Sequence, residues 1–191
     1  ARWLERNGAD IVIAQGLEAG GHRGHFLGDD VLDVSAHMGT FALLPHIMRA
    51  VNVPVVAAGG IADAVGIRAA MALGAAGVQI GTSYLLCHES TASTIHRAAL
   101  GSEAATHTRL TNVFTGRPAR GIVNRIMREL GAINRHAPAF PLATAAITPL
   151  RTAAEARGSN DFSPLWAGQN TSGCQAIGAT ELTLQLAKGF S

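Results

Sequence analysis

The chain has 191 residues, a formal net charge of +2, 48% hydrophobic residues and only 5% aromatics, which is enough for one domain built on an aliphatic, alanine-rich core. The weak charge and scattered arginines, without an aromatic platform, argue against nucleic acid as a partner, and no apolar run of about 18 residues marks a membrane span. ARWLERNGAD lacks the pattern of a signal peptide, Cys87 and Cys174 form no CxxC pair and suit a reducing, cytoplasmic setting, and Lys188, the sole lysine, leaves a Schiff-base or P-loop role almost without a candidate.

Residues 1–8 read as the tail of a helix, with Trp3 and Leu4 on one face and Gly8 as its stop. A first strand is expected over 10–14, followed by a loop rich in Gly, His and Asp to about residue 33. A helix is expected over 40–50, with Phe41, Leu44 and Met48 on one face and Pro45 in its first turns. VPVVAAGG, 53–60, is apolar on both faces, as a central parallel strand must be. Asp63 is the expected N-cap of the next helix, with Val65, Ala69, Ala72 and Leu73 as its buried stripe and Gly74 as its end. GVQIGTSYLL, 77–86, is a third strand. The order αβαβαβ with short connections predicts a parallel sheet with helices outside it.

The character changes after about residue 108. GRPARGIVNRIMRELG, 116–131, reads as a basic amphipathic helix with Val123, Met127 and Leu130 on one side. A loose stretch follows over 136–164 with a short helix near 149–157, and a last helix is expected over about 180–188.

In a parallel sheet all strand C-termini lie at one edge, and here three glycine loops follow them: AQGLEAGGHRG, AAGGIAD and QIGTSYL. Glycine allows close backbone approach and offers free N–H groups. Gly59 and Gly60 precede a helix, so their amides and the helix N-terminus make an expected anion site, to which Gly81 and Thr82 add amides and a hydroxyl one βα unit later, as (β/α)8 barrels build phosphate sites from consecutive βα loops. A plain turn remains the competing reading of each loop. His22 on its own reads as an ordinary loop histidine. His22 and His25 at i, i+3 bring to mind a metal, yet no third ligand cluster accompanies them, and Asp29, Asp30 and Asp33 read as residues that cap and solvate the loop. No metal is therefore expected.

AQGLEAGGHRGHF, VPVVAAGGIAD and GVQIGTSYL together resemble the nitronate monooxygenase (2-nitropropane dioxygenase) family, FMN-dependent enzymes on a (β/α)8 TIM barrel. The match is dense over 1–90 and resumes in FTGRPAR and PLWAGQ. FMN-dependent enoyl-acyl-carrier-protein reductases share the GGH loop more distantly. The resemblance implies an α/β fold, the C-terminal part of a TIM barrel with about three parallel strands over 1–108, and a mainly helical C-terminal region over 109–191 that packs at the barrel mouth. It implies that Gln15 and Gly20 lie beside the flavin, that Gly59, Gly60, Gln79, Ile80, Gly81 and Thr82 hold the FMN phosphate and ribityl chain, and that His22 is the active-site histidine.

The implied partners are a nitronate or nitroalkane and dioxygen, with a homo-oligomer left open. A whole barrel needs eight strands, so the resemblance also implies a fragment of a longer enzyme, or a barrel completed by another chain. An enoyl reductase-like oxidoreductase and an inactive phosphate-ligand module are the alternatives. SPLWAGQ, 163–169, is expected to fold back, with Trp166 either at the site or in the core.

Overall fold

The computed structural model describes residues 1–190 except Leu27 and Asp29. In chain order the elements are α1 (Arg2–Arg6), β1 (Val12–Gln15), β2 (Gly21–His22), α2 (Thr40–Met48), β3 (Val55–Ala58), α3 (Ala64–Ala72), β4 (Gly77–Gln79), a 3-10 turn (Thr82–Leu86), α4 (Thr94–Leu100), a second 3-10 turn (Glu103–Thr106), β5 (Thr108–Thr111), β6 (Ala119–Ile122), α5 (Arg125–Glu129), α6 (Leu142–Glu155), α7 (Ala179–Ala187) and a closing 3-10 turn (Lys188–Phe190). They sort into two compact units. One comprises Ala1–Ala19, His37–Ser90 and Asn170–Ser191, the other Gly20–Ala36 and Thr91–Gln169.

The first unit is the parallel sheet β1-β3-β4 with its connecting helices, the βα alternation expected from the sequence. Val12, Ala14, Val55, Ala57 and Val78 share one face by register. That face builds the core with Leu44, Val51, Ala70 and Ala75, and Leu44, Val55 and Ala57 are wholly buried there. The opposite face carries Ile13, Gln15, Val56, Ala58 and Gln79. It opens into an apolar groove of about 670 Å³ whose walls include Ile11, Ile80 and Phe190.

Three helices depart from the expected apolar faces. Ile67 and Ala70 are the buried residues of α3, while Val65 is 64% exposed. In an alanine-rich helix small apolar residues occur all round, so periodicity leaves the phase open, and here the larger Ile67 sets it. Phe41 of α2 is likewise exposed and Leu44 carries the packing, and Trp3 and Leu4 of α1 are also exposed. The Asp63 cap is as expected: its Oδ1 accepts the Gly66 N–H at 2.8 Å, and α3 gives way to Gly74 at φ +97°. The third strand is shorter than expected. It stops at Gln79, and the chain turns into a 3-10 helix from Thr82.

The second unit holds an antiparallel sheet, β2-β6-β5. The stretch 116–131 is therefore not one helix: 119–122 is the central strand β6, and only 125–129 is helical. β6 pairs with β5 over four residues and with Gly21 and His22 on its other side. Every residue of β6 is buried, Arg120 included, whose Nη1 donates to the Thr108 hydroxyl at 3.2 Å. The helix expected near 149–157 is the longer α6, which begins at Leu142. Val113, Phe114, Ile126, Met127 and Ile147 form this unit's core, with Trp166 packed against it. In the loop after β2, Asp30 accepts the Leu32 N–H and Asp33 the Ser35 N–H, both at 2.9 Å, as capping residues do. Asp29 lies outside the described residues.

Candidate active site

In the first unit the parallel register aligns Gln15, Ala58 and Gln79 in one row across the C-terminal edge of the sheet. Residues opposite one another in a ladder project to the same side, so two amide side chains flank a small alanine. Beyond that row come the glycine turns. Gly59 and Gly60 take φ of +110° and +74°, where L side chains are strained, and a Cβ on Gly59 would lie 2.9 Å from the Ala19 nitrogen. Gly60 is exposed, and its carbonyl accepts Asn170 Nδ2 at 2.9 Å. Gly81, also exposed, has open space where a Cβ would stand. Among the described residues the N–H groups of Gly60 and Gly81 have no protein acceptor. Such amides are what a phosphate or another oxyanion takes.

Glu18 braces these turns. Its two carboxylate oxygens accept the Thr40 N–H at 2.8 and 3.0 Å, capping α2 from a distant loop. The Thr40 hydroxyl lies 2.8 Å from the Gly59 carbonyl and 3.0 Å from Glu18 Oε2, so the loop after β1, the start of α2 and the turn after β3 meet at one side chain. The expected contribution of the α3 terminus is reduced, because Asp63 Oδ1 already accepts the Gly66 N–H in its first turn. Thr82 begins the 3-10 turn, its carbonyl accepting from Cys174 Sγ at 3.2 Å, and Ile80 packs into the cluster of Ile67 and Leu182. Burial pushes the Cys174 thiol up to about 11, so it is no ready nucleophile.

In the second unit His22 stands on the edge strand β2, opposite Ala119 of β6. Ala119 and Gly121 occupy the same face of β6, and their small size leaves room for two rings. The Trp166 indole lies over Gly121, where a Cβ would be 3.1 Å from it, and its centroid is 5.6 Å from the His22 imidazole. Phe140 meets His22 edge-on at 5.9 Å. The turn at Gly116, at φ +91°, makes this approach feasible, since a Cβ there would overlap the backbone of 138–140. His22 Nε2 is 2.9 Å from Thr115 Oγ1. Arg117 stacks over Phe26 at 5.0 Å and Phe140 at 6.0 Å and donates to the His25 carbonyl at 3.1 Å. Burial, and then the Arg117 guanidinium, hold the His22 imidazole below its ordinary value, so it is neutral at pH 7.

Trp166 itself is held through its backbone. Its residue bridges to Gly121, the neighbouring Leu165 carbonyl accepts the Ile122 N–H at 2.8 Å, and its own carbonyl accepts His96 Nε2–H at 3.0 Å. Burial lowers His96 and that bond opposes the shift. Gly20 is explained by the same segment: a Cβ on it would lie 2.7 Å from the backbone of Ala167 and Gly168.

Thr115, Arg117 and Phe140 carry no role in the sequence reading. FTGRPAR was visible as a motif, but nothing local in it says that its Thr and Arg would flank a histidine 93 positions earlier in the chain. Among the described residues no group of three or more His, Cys, Asp or Glu side chains is placed to hold a metal, and no helix is long and apolar enough to cross a membrane.

The nitronate monooxygenase family model matches residues 1–189. A nitronate monooxygenase of Pseudomonas aeruginosa is 45% identical over 186 residues, covering 95% of this chain and 51% of that protein. A probable nitronate monooxygenase of Staphylococcus saprophyticus is 40% identical, covering 96% and 52%. Among solved structures, the nitroalkane oxidase of Streptomyces ansochromogenes superposes with a TM-score of 0.87 at 43% identity, covering 97% of this chain and 53% of that one. FabK from Thermotoga maritima does so with a TM-score of 0.76 at 31% identity, covering 99% and 57%. The chain spans about half the length of the curated relatives it matches.

Proposed function

Starting from the fact that this chain belongs to the nitronate monooxygenase family, we propose that the protein is an FMN-dependent oxidoreductase converting alkyl nitronates, with dioxygen, into carbonyl compounds and nitrite. The observation that carries this reading is the neutral His22 imidazole, bonded to Thr115, flanked by Phe140 and Trp166, and beside the Arg117 cation.

The donor set suits FMN. Exposed amides of Gly60 and Gly81 fit a phosphate, and the Gln15 and Gln79 amides, in one row at the sheet edge, fit a polyol chain or the polar rim of a flat ring. Gly20, Gly59, Ile80 and Thr82 belong to the same proposed cofactor set, as residues whose backbone shapes the loops. FMN, when bound, supplies the redox chemistry by taking electrons from the substrate.

The chain's own residues do the rest. A neutral nitroalkane must lose its α-proton before oxidation. His22, neutral at pH 7, accepts it; the C–H electron pair stays with the substrate as nitronate, and the imidazole becomes a cation. Arg117 adds positive charge that favours the anion, and Phe140 and Trp166 supply apolar walls for an alkyl group. Both cysteines are free thiols, which supports a cytoplasmic setting.

A second reading, an FMN-dependent enoyl-acyl-carrier-protein reductase, rests on the GGH loop at 20–22. Two assays on the intact, FMN-loaded protein separate them. Nitronate-dependent oxygen uptake with nitrite release is the expected result. NAD(P)H oxidation with an enoyl thioester, and no nitrite from any nitronate, would overturn it in favour of the reductase.

A further inference from the structure

We propose that Thr115 sets the tautomer of His22, keeping the proton on Nε2 so that the lone pair of the neutral ring sits on Nδ1. The inference rests on the reading of His22 as the base only for its catalytic consequence; the preference for Nε2–H follows from counting hydrogens at Thr115 Oγ1.

Among the described residues Thr115 Oγ1 has three polar partners. It lies 2.9 Å from His22 Nε2, 3.2 Å from the Arg117 carbonyl and 3.4 Å from the Arg117 amide nitrogen. A hydroxyl brings one proton and two lone pairs. The carbonyl can only accept and the amide can only donate. All three contacts are satisfied in one arrangement: the hydroxyl donates to the Arg117 carbonyl, and its lone pairs receive the Arg117 N–H and an Nε2–H from His22. In the other tautomer Nε2 is an acceptor and competes with the carbonyl for a single proton, so one contact is lost. A lost hydrogen bond of this kind shifts an equilibrium by about fivefold to tenfold.

The site is built to keep this geometry. His22 is fixed in the ladder opposite Ala119, and its neighbour Arg23 donates its backbone N–H to the Pro118 carbonyl at 2.9 Å. Thr115 is fixed in the tight turn at Gly116, whose backbone closes onto 138–140. Thr115 is thus a positioning residue. When the α-proton of a nitroalkane is transferred, it goes to Nδ1, the carbon–hydrogen pair remains on the substrate, and the resulting imidazolium keeps its Nε2–H on Thr115.

The test is long-range 1H–15N correlation NMR of the intact, FMN-loaded protein labelled with 15N-histidine, at a pH where His22 is neutral. The His22 signals are identified by their loss in His22→Asn. The expected wild-type spectrum shows a protonated Nε2 and an unprotonated Nδ1. Thr115→Ser should retain that pattern, and Thr115→Val should shift it to a tautomer mixture. With a neutral nitroalkane, kcat should fall about fivefold to tenfold in the valine variant and recover in the serine variant.

A wild-type Nδ1–H tautomer overturns the proposal, and so does an unchanged tautomer in Thr115→Val. If Thr115→Val does not fold, the wild-type and serine spectra decide alone. A protein with the expected tautomers but no turnover of nitroalkanes or nitronates leaves Thr115 in its role and removes the proposed reaction.

Discussion

The two compact units present their candidate chemistry in different currencies of structure. At the strand ends of the first, the exposed groups are backbone amides, at Gly60 and Gly81, in loops shaped by the absence of side chains. Around His22 in the second, the groups are side chains, each held by others: Thr115 on Nε2, and Phe140 and Trp166 on the ring. A backbone site does not titrate and is damaged by adding atoms. A side-chain site titrates and is damaged by changing chemistry while shape stays the same. Binding a cofactor at every pH and moving a proton near neutrality call for these two kinds of site respectively.

The largest expected effect is on the backbone side. Gly60→Asp puts a carboxylate in the turn next to Glu18, whose Cβ and Cγ lie 3.5 Å from the new Cβ. Stoichiometric FMN should be lost, measured by flavin absorbance after gel filtration of the intact protein. Gly60→Asn, isosteric and tolerant of φ +74°, should retain much of it. Full retention in the aspartate variant would remove the turn from the phosphate site.

A smaller effect is expected from Arg117→Gln, read as a pH profile. His22 must be neutral to accept a proton, so kcat/KM on a neutral nitroalkane falls as pH drops through the His22 pKa, which lies below 6.5. Removing the cation takes away the second of its two causes of depression. The acid limb should then move upward, toward 6.5 but not past it, because burial, the larger cause, remains. A limb that stays put, or moves down, would separate Arg117 from the titration.

The smallest is Asp63→Ala. Loss of the cap at Gly66 should cost about 1 kcal/mol in urea unfolding without lowering flavin affinity, because the proposed phosphate contacts are the amides of the glycine turns and not the terminus of α3. A large fall in affinity would shift the site onto the helix.

Legibility in the sequence follows the same division. VPVVAAGG, the Asp63 cap and the Gly74 stop were readable because a buried parallel strand and a helix end leave local marks. The strand β6 was not. ARGI carries a buried arginine and a glycine, its pairing partners come from residues 21–22 and 108–111, and the apolar spacing of Val123 and Met127 suggested a helix running through it. For the site, the glycine loops and His22 stood out as motifs, whereas Thr115 and Phe140 reach His22 only through that sheet and the turn at Gly116.

The most direct test of His22 as a base is His22→Asn in the intact protein, assayed in parallel on a neutral nitroalkane and on its preformed nitronate. FMN content and the fold should be unchanged. The expected loss is about 10²- to 10⁴-fold on the nitroalkane, as for removal of a general base, and clearly smaller on the nitronate, whose proton is already gone. An equal loss on both substrates would contradict the base assignment and make His22 a binding residue, and no loss on either would return it to an ordinary loop histidine.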